Sequence, residues 1–340
     1  MNKKRVLVTT VIVLVLIALA YLQFRTWRNF NWQVFFEQTR EANLWRIASG
    51  VAIIYCGYFL RALRWEVMLR PVKKVSWMGL VSPMFIGFTA LAILGRPGEL
   101  IRPYLIARKE GLPVSSQMAV WTVERIFDMG CFAILVALDL IFAPSLQQLP
   151  YFVEFRRAGF VLISFIVALG VLAFFIWRNG LGIAAWIERT LSPISTRVAK
   201  SIADKVRTFG KGLHTIHDLK SFFELIVLSL GLWLSIAFAY LQVTRAYPEP
   251  LRHMGLAQIV LLMGFSIVGS IAQLPVVGGG SQLMTITALA RVFQVPQELA
   301  VSCGVLLWLV TFVSSSPIGL LIARREQVNL VKLSEEAEPA

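Results

Sequence analysis

Six charged side chains interrupt otherwise apolar sequence: Arg96, Glu99 and Arg102 in the run Gly-Arg-Pro-Gly-Glu-Leu-Ile-Arg, and Glu124, Arg125 and Asp128 in Val-Glu-Arg-Ile-Phe-Asp. A charge placed in hydrocarbon costs roughly 2.5 to 3.5 kcal/mol on insertion scales, so such residues pair inside a helical bundle and mark a polar route through it. The arginines offer a planar, bidentate fork to a phosphate or a carboxylate. The carboxylates can balance those arginines, meet a cationic headgroup, or act as general acid or base if burial raises their pKa. A second run, Pro275-Val-Val-Gly278-Gly279-Gly280-Ser281-Gln282, adds glycines that let a ligand approach the main chain closely.

The elements that hold these residues must be membrane helices. Hydrophobic residues fill 57% of the 340 positions and charged residues only 15%, where a soluble domain carries about 25% charge. The net charge of +14, from 33 basic and 19 acidic residues, would suggest nucleic acid in a soluble chain. Here it asks instead which loops are cytoplasmic, and no nucleic-acid partner is expected. No cofactor or metal is expected either. His214 and His217 have ligand-like spacing but sit on a basic, polar segment without clustered carboxylates or thiols. Cys56, Cys131 and Cys303 are widely spaced in apolar runs and read as packing residues.

The fold class expected is an all-α polytopic membrane protein with about six full crossings: Val6 to Leu22, Leu44 to Leu60, Gln117 to Phe142, Ala158 to Trp177, Phe222 to Val243 and Gln297 to Ile322. Ala18-Leu19-Ala20 resembles a signal-peptidase site, but the first run is read as an uncleaved helix. The chain divides into a first helix with an external amphipathic linker (1–43), a membrane domain (44–322) containing a basic cytoplasmic connector (178–221), and a cytoplasmic tail (323–340). The connector reads either as an amphipathic helix on anionic lipid or as a plain linker. Trp27, Trp32, Trp45, Trp65 and Trp77 fall near expected interfaces and read as belt anchors.

Two apolar runs, Val75 to Leu94 and Met254 to Leu274, end in Pro/Gly clusters. Letting the first cross once would put Arg108 and Lys109 outside, against the loop-charge rule. Both regions therefore read as re-entrant helical hairpins. The arms of the first are Met84 to Leu94 and Glu99 to Glu110, each roughly 16 to 18 Å long, with the Gly95-Arg96-Pro97-Gly98 tip near mid-membrane. Gly87-Phe88-Thr89 before Pro97 matches Gly264-Phe265-Ser266 before Pro275, and Pro113 and Pro296 close the two units. This reads as a weak internal repeat of opposite orientation, an arrangement used by transporters. Helix N-termini at Glu99 and at Ser281 or Gln282 would add positive dipole ends at the tips. The blander alternative is a buried ionic network among Glu99, Arg102, Glu124, Arg125 and Asp128 that locks the first hairpin to its neighbour.

The segments Leu60-Arg-Ala-Leu-Arg-Trp65, Gly95-Arg-Pro-Gly-Glu-Leu-Ile-Arg-Pro103, Val123-Glu-Arg-Ile-Phe-Asp128 and Pro275 to Gly280 together resemble the flippase-like family defined by the transmembrane region of lysylphosphatidylglycerol synthases. The resemblance implies a lipid-handling domain in the cytoplasmic membrane of a prokaryote, in a stand-alone form without the aminoacyl-transfer domain. Family members commonly carry a glutamate shortly after the second glycine cluster, whereas this chain has Ser281-Gln282 there. A proton-coupled role for that second site is therefore in doubt, and any acidic function is placed on Glu99, Glu124 and Asp128.

The reading that follows is a non-enzymatic flippase-like transporter for a phospholipid or another anionic or lipid-linked headgroup, with both chain ends cytoplasmic. Arg96 and Arg102 would hold the phosphate, Arg125 would support them, and Glu99, Glu124 and Asp128 would balance the arginines or meet a cationic headgroup. Gly98, Gly278, Gly279 and Gly280 would give backbone access, with Pro275 in the second tip and Ser281 or Gln282 opening the helix N-terminus beside it. Two alternatives stand beside it: an intramembrane lipid-modifying enzyme using Glu124 or Asp128, and a scaffold for lipid-synthesis enzymes. A homo-oligomer is left open.

Overall fold

A computed structural model of the chain describes residues 30–193, 195–214, 219–270 and 279–328. The first expected crossing, the tail from residue 329, His217, Pro275 and Gly278 lie outside these residues. All regular elements among the described residues are helical, one of the two backbone forms that satisfy every polar group within a membrane.

In chain order the helices are α1 (Trp32–Glu41), α2 (Leu44–Leu69), α3 (Trp77–Leu94), α4 (Ile101–Glu110), α5 (Val114–Phe142), α6 (Phe152–Leu191), α7 (Thr196–His214), α8 (Leu219–Thr244), α9 (Leu256–Gly269), α10 (Gly279–Arg291), α11 (Gln297–Trp308) and α12 (Ser316–Arg325). Their ends follow local chemistry. The Asn31 side chain accepts the first free amides of α1, and Asn43 does the same for α2. Gly111, at φ 65°, stops α4 in the left-handed region. Pro113 and Pro296, the residues expected to close the two units, cap α5 and α11.

The chain folds back after α3. Gly95 (φ 71°) ends that helix, and a 3-10 turn over Arg96–Leu100 leads into α4, which runs antiparallel to it. Gly98 lies so close to α3 that a Cβ there would stand 2.3 Å from the Ala90 carbonyl oxygen. Gly87 likewise faces Arg102, 2.6 Å from that residue's Cβ to a Cβ built on the glycine. The Lys73 ammonium then meets both the carbonyl (2.7 Å) and the carboxylate (3.0 Å) of Glu110, returning the hairpin to the end where it started. The second hairpin is alike: a Cβ on Gly269 would stand 2.2 Å from the Gly280 carbonyl oxygen, and Ser266 bonds Ser281 across the arms at 2.8 Å.

The first arm departs from the expected length. α3 starts at Trp77 and runs through Pro83 without breaking, so its 18 residues make an arm of ~27 Å. That is close to the ~30 Å of a hydrocarbon core and longer than half of it. Pro83, the seventh residue of the helix, lies beyond the first four free amides, so the helix runs on past it at the cost of the amide bond that would have gone to the Gly79 carbonyl.

α2 and α8 lie antiparallel through the middle. Asn43 N–H donates to the Ala246 carbonyl (2.9 Å) at one end, Gly50 and Gly57 face Val243 and Leu232 along the length, and Arg70 pairs with Glu224 at the other end. Each hairpin also packs on the last helix of the opposite half. α3 meets α12, where the Thr89 hydroxyl donates to the Ser315 carbonyl (3.2 Å), and α9 meets α5 through Leu261, Val136 and Leu140. The two halves, α2–α5 and α8–α12, are therefore interlocked.

One end of the bundle collects Arg70, Lys73, Lys74, Arg108, Lys109, Lys220, Arg324 and Arg325, and the first hairpin opens there. The second hairpin opens at the other end. α1 docks there through a Thr39–Ser302 hydroxyl contact of 2.6 Å. Between the halves, α6 presents Val161, Phe165 and Leu172 outward, as a lipid-facing helix does. The segment read as a connector continues α6 past a kink at Asn179, whose side-chain oxygen accepts the Gly182 amide at 3.2 Å. α7 then packs back on that extension through Ala184, Ala199 and Ala203.

Candidate functional site

The site begins on α2. The sequence reading ended this helix at Leu60, but it continues to Leu69 because its buried positions keep helical spacing through Ile54, Tyr58, Ala62, Trp65 and Leu69. Arg61 and Arg64, read as loop residues, are therefore inside the bundle. Trp65 is fully buried rather than an interfacial anchor. On α5 the buried face runs Gln117, Val120, Glu124, Asp128 and Cys131, again at helical spacing.

Three guanidinium groups meet two carboxylates where these faces join the first hairpin. Arg64, fully buried, donates to Glu124 Oε1 at 2.5 Å, to Ser229 Oγ at 3.1 Å and to Asp128 Oδ1. Arg102, on α4, takes Glu124 in a fork, through Oε1 at 3.2 Å and through Oε2. Its Cζ lies 5.3 Å from the ring centroids of both Trp65 and Phe88. Arg125 reaches Asp128 Oδ2 at 3.1 Å and Glu124 Oε2 at 3.6 Å. The Trp233 indole donates to the Asp128 carbonyl at 3.0 Å. The network thus clamps α2, α4, α5 and α8 around two buried carboxylates, the structural arrangement that the spacing of these residues allowed.

Arg61 is placed differently. Its closest carboxylate oxygen, Asp128 Oδ2, is 3.9 Å away, and its guanidinium lies 4.6 Å from the Phe88 ring. It lines a cavity of about 160 Å³ between the two halves of the molecule. Tyr58 and Phe88 come from the first half; Trp233, Tyr240, Ser266 and Ser281 come from the second. A short hydroxyl ladder crosses that second wall, Tyr240 to Ser266 at 3.2 Å and Ser266 to Ser281 at 2.8 Å.

The expected site residues are distributed among these features. Arg102, Glu124, Arg125 and Asp128 form the network, and Glu99 joins Arg102 and Arg125 around a small crevice of about 20 Å³. Ser281 reaches the main cavity, while Gln282 is half-buried beside it. Two roles change. Gly98 is closed against Ala90, so its missing side chain serves helix approach rather than ligand access, and both Glu124 oxygens are already engaged when a phosphate would need Arg102. The Gly280 carbonyl is similarly set against Gly269, and Gly279 starts α10. The Arg96 side chain lies outside the description.

Sequence reasoning missed Arg61 and Arg64. The signal was present in their three-residue spacing within Leu60-Arg-Ala-Leu-Arg-Trp65, which continues the Tyr58 face of the same helix.

An all-helical bundle with two opposed hairpins, a buried arginine–carboxylate network and a cavity between interlocked halves defines a polytopic membrane protein. Residues 6–319 match the family model described as the lysylphosphatidylglycerol synthase transmembrane region, and the chain belongs to that family. It is similar to a "UPF0104 membrane protein" of the archaeon Methanothermobacter thermautotrophicus, 24% identical over 293 residues, covering 82% of this chain and 83% of that relative. No solved structure matches.

Proposed function

We propose that the protein is a lipid flippase-like transporter, moving a phospholipid or lipid-linked headgroup between leaflets through the cavity between its two halves. The observation that carries this reading is the position of that cavity: Arg61 faces it from one half, and the serine–tyrosine ladder faces it from the other. Rocking of one half against the other would open such a space to each side in turn, as in transporters built from inverted repeats. The basic end would lie in the cytoplasm of a prokaryotic cell, in line with the positive-inside rule.

The lipid-modifying enzyme is less well supported, because the carboxylates it would use have their oxygens held by arginines. A general acid or base needs one free to exchange a proton. The test is leaflet exchange of headgroup-labelled phospholipids in proteoliposomes, with mass spectrometry of the recovered lipid. Exchange of chemically unchanged lipid supports the transporter, a changed lipid mass supports the enzyme, and neither result in folded protein rejects both.

A further inference from the structure

The cavity's electrostatics define which headgroups it can accept. Arg61 is the one charged side chain among its described lining residues. The neighbouring carboxylates are not open to it: Glu124 is divided between Arg64 and Arg102, and Asp128 between Arg64 and Arg125. The Phe88 ring, which could otherwise receive a ligand cation, is covered by Arg61 at 4.6 Å and Arg102 at 5.3 Å. Residues 271–278, which join the arms of the second hairpin, contain no charged side chain. Ser281 stands on the cavity wall and is 4% exposed. A glutamate there would supply the carboxylate that the lining lacks.

A low-dielectric space with one under-partnered guanidinium favours an anion and opposes a cation. Arg61 retains donors for a phosphate because its carboxylate contact, at 3.9 Å, lies beyond hydrogen-bond length. The other polar groups are hydroxyls, which can both donate to and accept from a hydroxylated headgroup. The volume of about 160 Å³ suits a compact headgroup whose acyl chains remain outside.

We propose that this cavity binds a phosphodiester monoanion carrying a neutral, hydroxylated headgroup, as in phosphatidylglycerol, and rejects lipids whose headgroup is net cationic, such as aminoacylated phosphatidylglycerol. Arg61 holds the phosphate, and the Ser266–Ser281 pair faces the hydroxyls. The inference rests on the transporter reading only for the location of the ligand.

The test uses the full chain in nanodiscs, with bound lipid measured by native mass spectrometry in equimolar phosphatidylglycerol and lysylphosphatidylglycerol. The expected result is at least a tenfold preference for phosphatidylglycerol, lost in Arg61→Gln, retained in Arg61→Lys and reversed in Ser281→Glu. Unfolding temperatures of all variants identify any that misfold, and Arg61→Lys supplies a charge-conserving comparison. Equal or greater retention of the aminoacylated lipid by the wild type overturns the proposal, as does an unchanged preference in folded Arg61→Gln. Soluble glycerol phosphate that displaces the lipid with the same Arg61 dependence overturns the lipid as the source of the phosphate. Leaflet exchange measured on the same samples separates the two ideas. Selective binding without exchange sinks the transporter and keeps this site, whereas exchange without selectivity does the reverse.

Discussion

At the scale of single residues, the two classes of arginine should behave differently. Arg64 and Arg102 share the fully buried Glu124, so Glu124→Gln leaves two buried cations short of their counter-charge. We expect a stability loss of about 3 to 5 kcal/mol, as for breaking one side of a buried pair, readable as a lower unfolding temperature in detergent. Arg61 has only its 3.9 Å contact to Asp128 and its place over Phe88. Arg61→Gln should therefore cost less stability than Glu124→Gln, since it strands no closely paired counter-charge, while removing the phosphate-dependent lipid preference. If both substitutions destabilised equally, Arg61 would belong to the clamp rather than the cavity. The charge motif itself was legible in the sequence. Which carboxylate oxygen each arginine takes was not, because that depends on where α2 and α4 cross α5.

At the scale of elements, the hairpins are held by close backbone approach, since lipid offers little hydrophobic drive for one helix to leave it for another. Gly98→Ala would place a methyl within 2.3 Å of the Ala90 carbonyl oxygen. Its cost should be about 1 to 3 kcal/mol, the range for overpacking a filled space. Gly231→Ala, on α8 with no heavy atom within 4 Å of the added Cβ, serves as the control. It should be neutral or stabilising by about 0.5 to 1 kcal/mol. Denaturation of the two variants side by side checks the pair, and equal effects would count against the tight hairpin. Sequence signals placed the reversal at Gly95 and the restarts after Pro113 and Pro296. They misjudged α2, because Arg61 resembles the first residue of a basic loop until Trp65 and Leu69 are known to be buried.

At the scale of the whole molecule, the two halves interlock, each hairpin packing on the final helix of the other half. This arrangement makes a topological prediction. In a cysteine-free background, single cysteines replacing Lys74, Arg108 and Arg325 should react with a membrane-impermeant maleimide from one face, and those replacing Gln147, Arg252 and Arg291 from the other. Labelling of Arg108→Cys and Arg325→Cys from opposite faces would show that the first hairpin crosses instead of returning.

A membrane-embedded helical chain, two hairpins with glycine-rich turns and a set of charges too costly to leave unpaired in lipid are all legible in the order of the residues. These follow from composition, helical period and loop charge, which act over a few residues at a time. The folding together of distant helices pairs Arg102 with Glu124 and leaves Arg61 as the cation among the described residues that line the cavity. It also placed Ser281, about 220 positions away in the chain, on the opposite wall of that space. The physical reason is that a charge in low dielectric is governed by its nearest counter-charge within a few ångströms. That distance is set by how distant helices cross, which no local pattern of residues encodes.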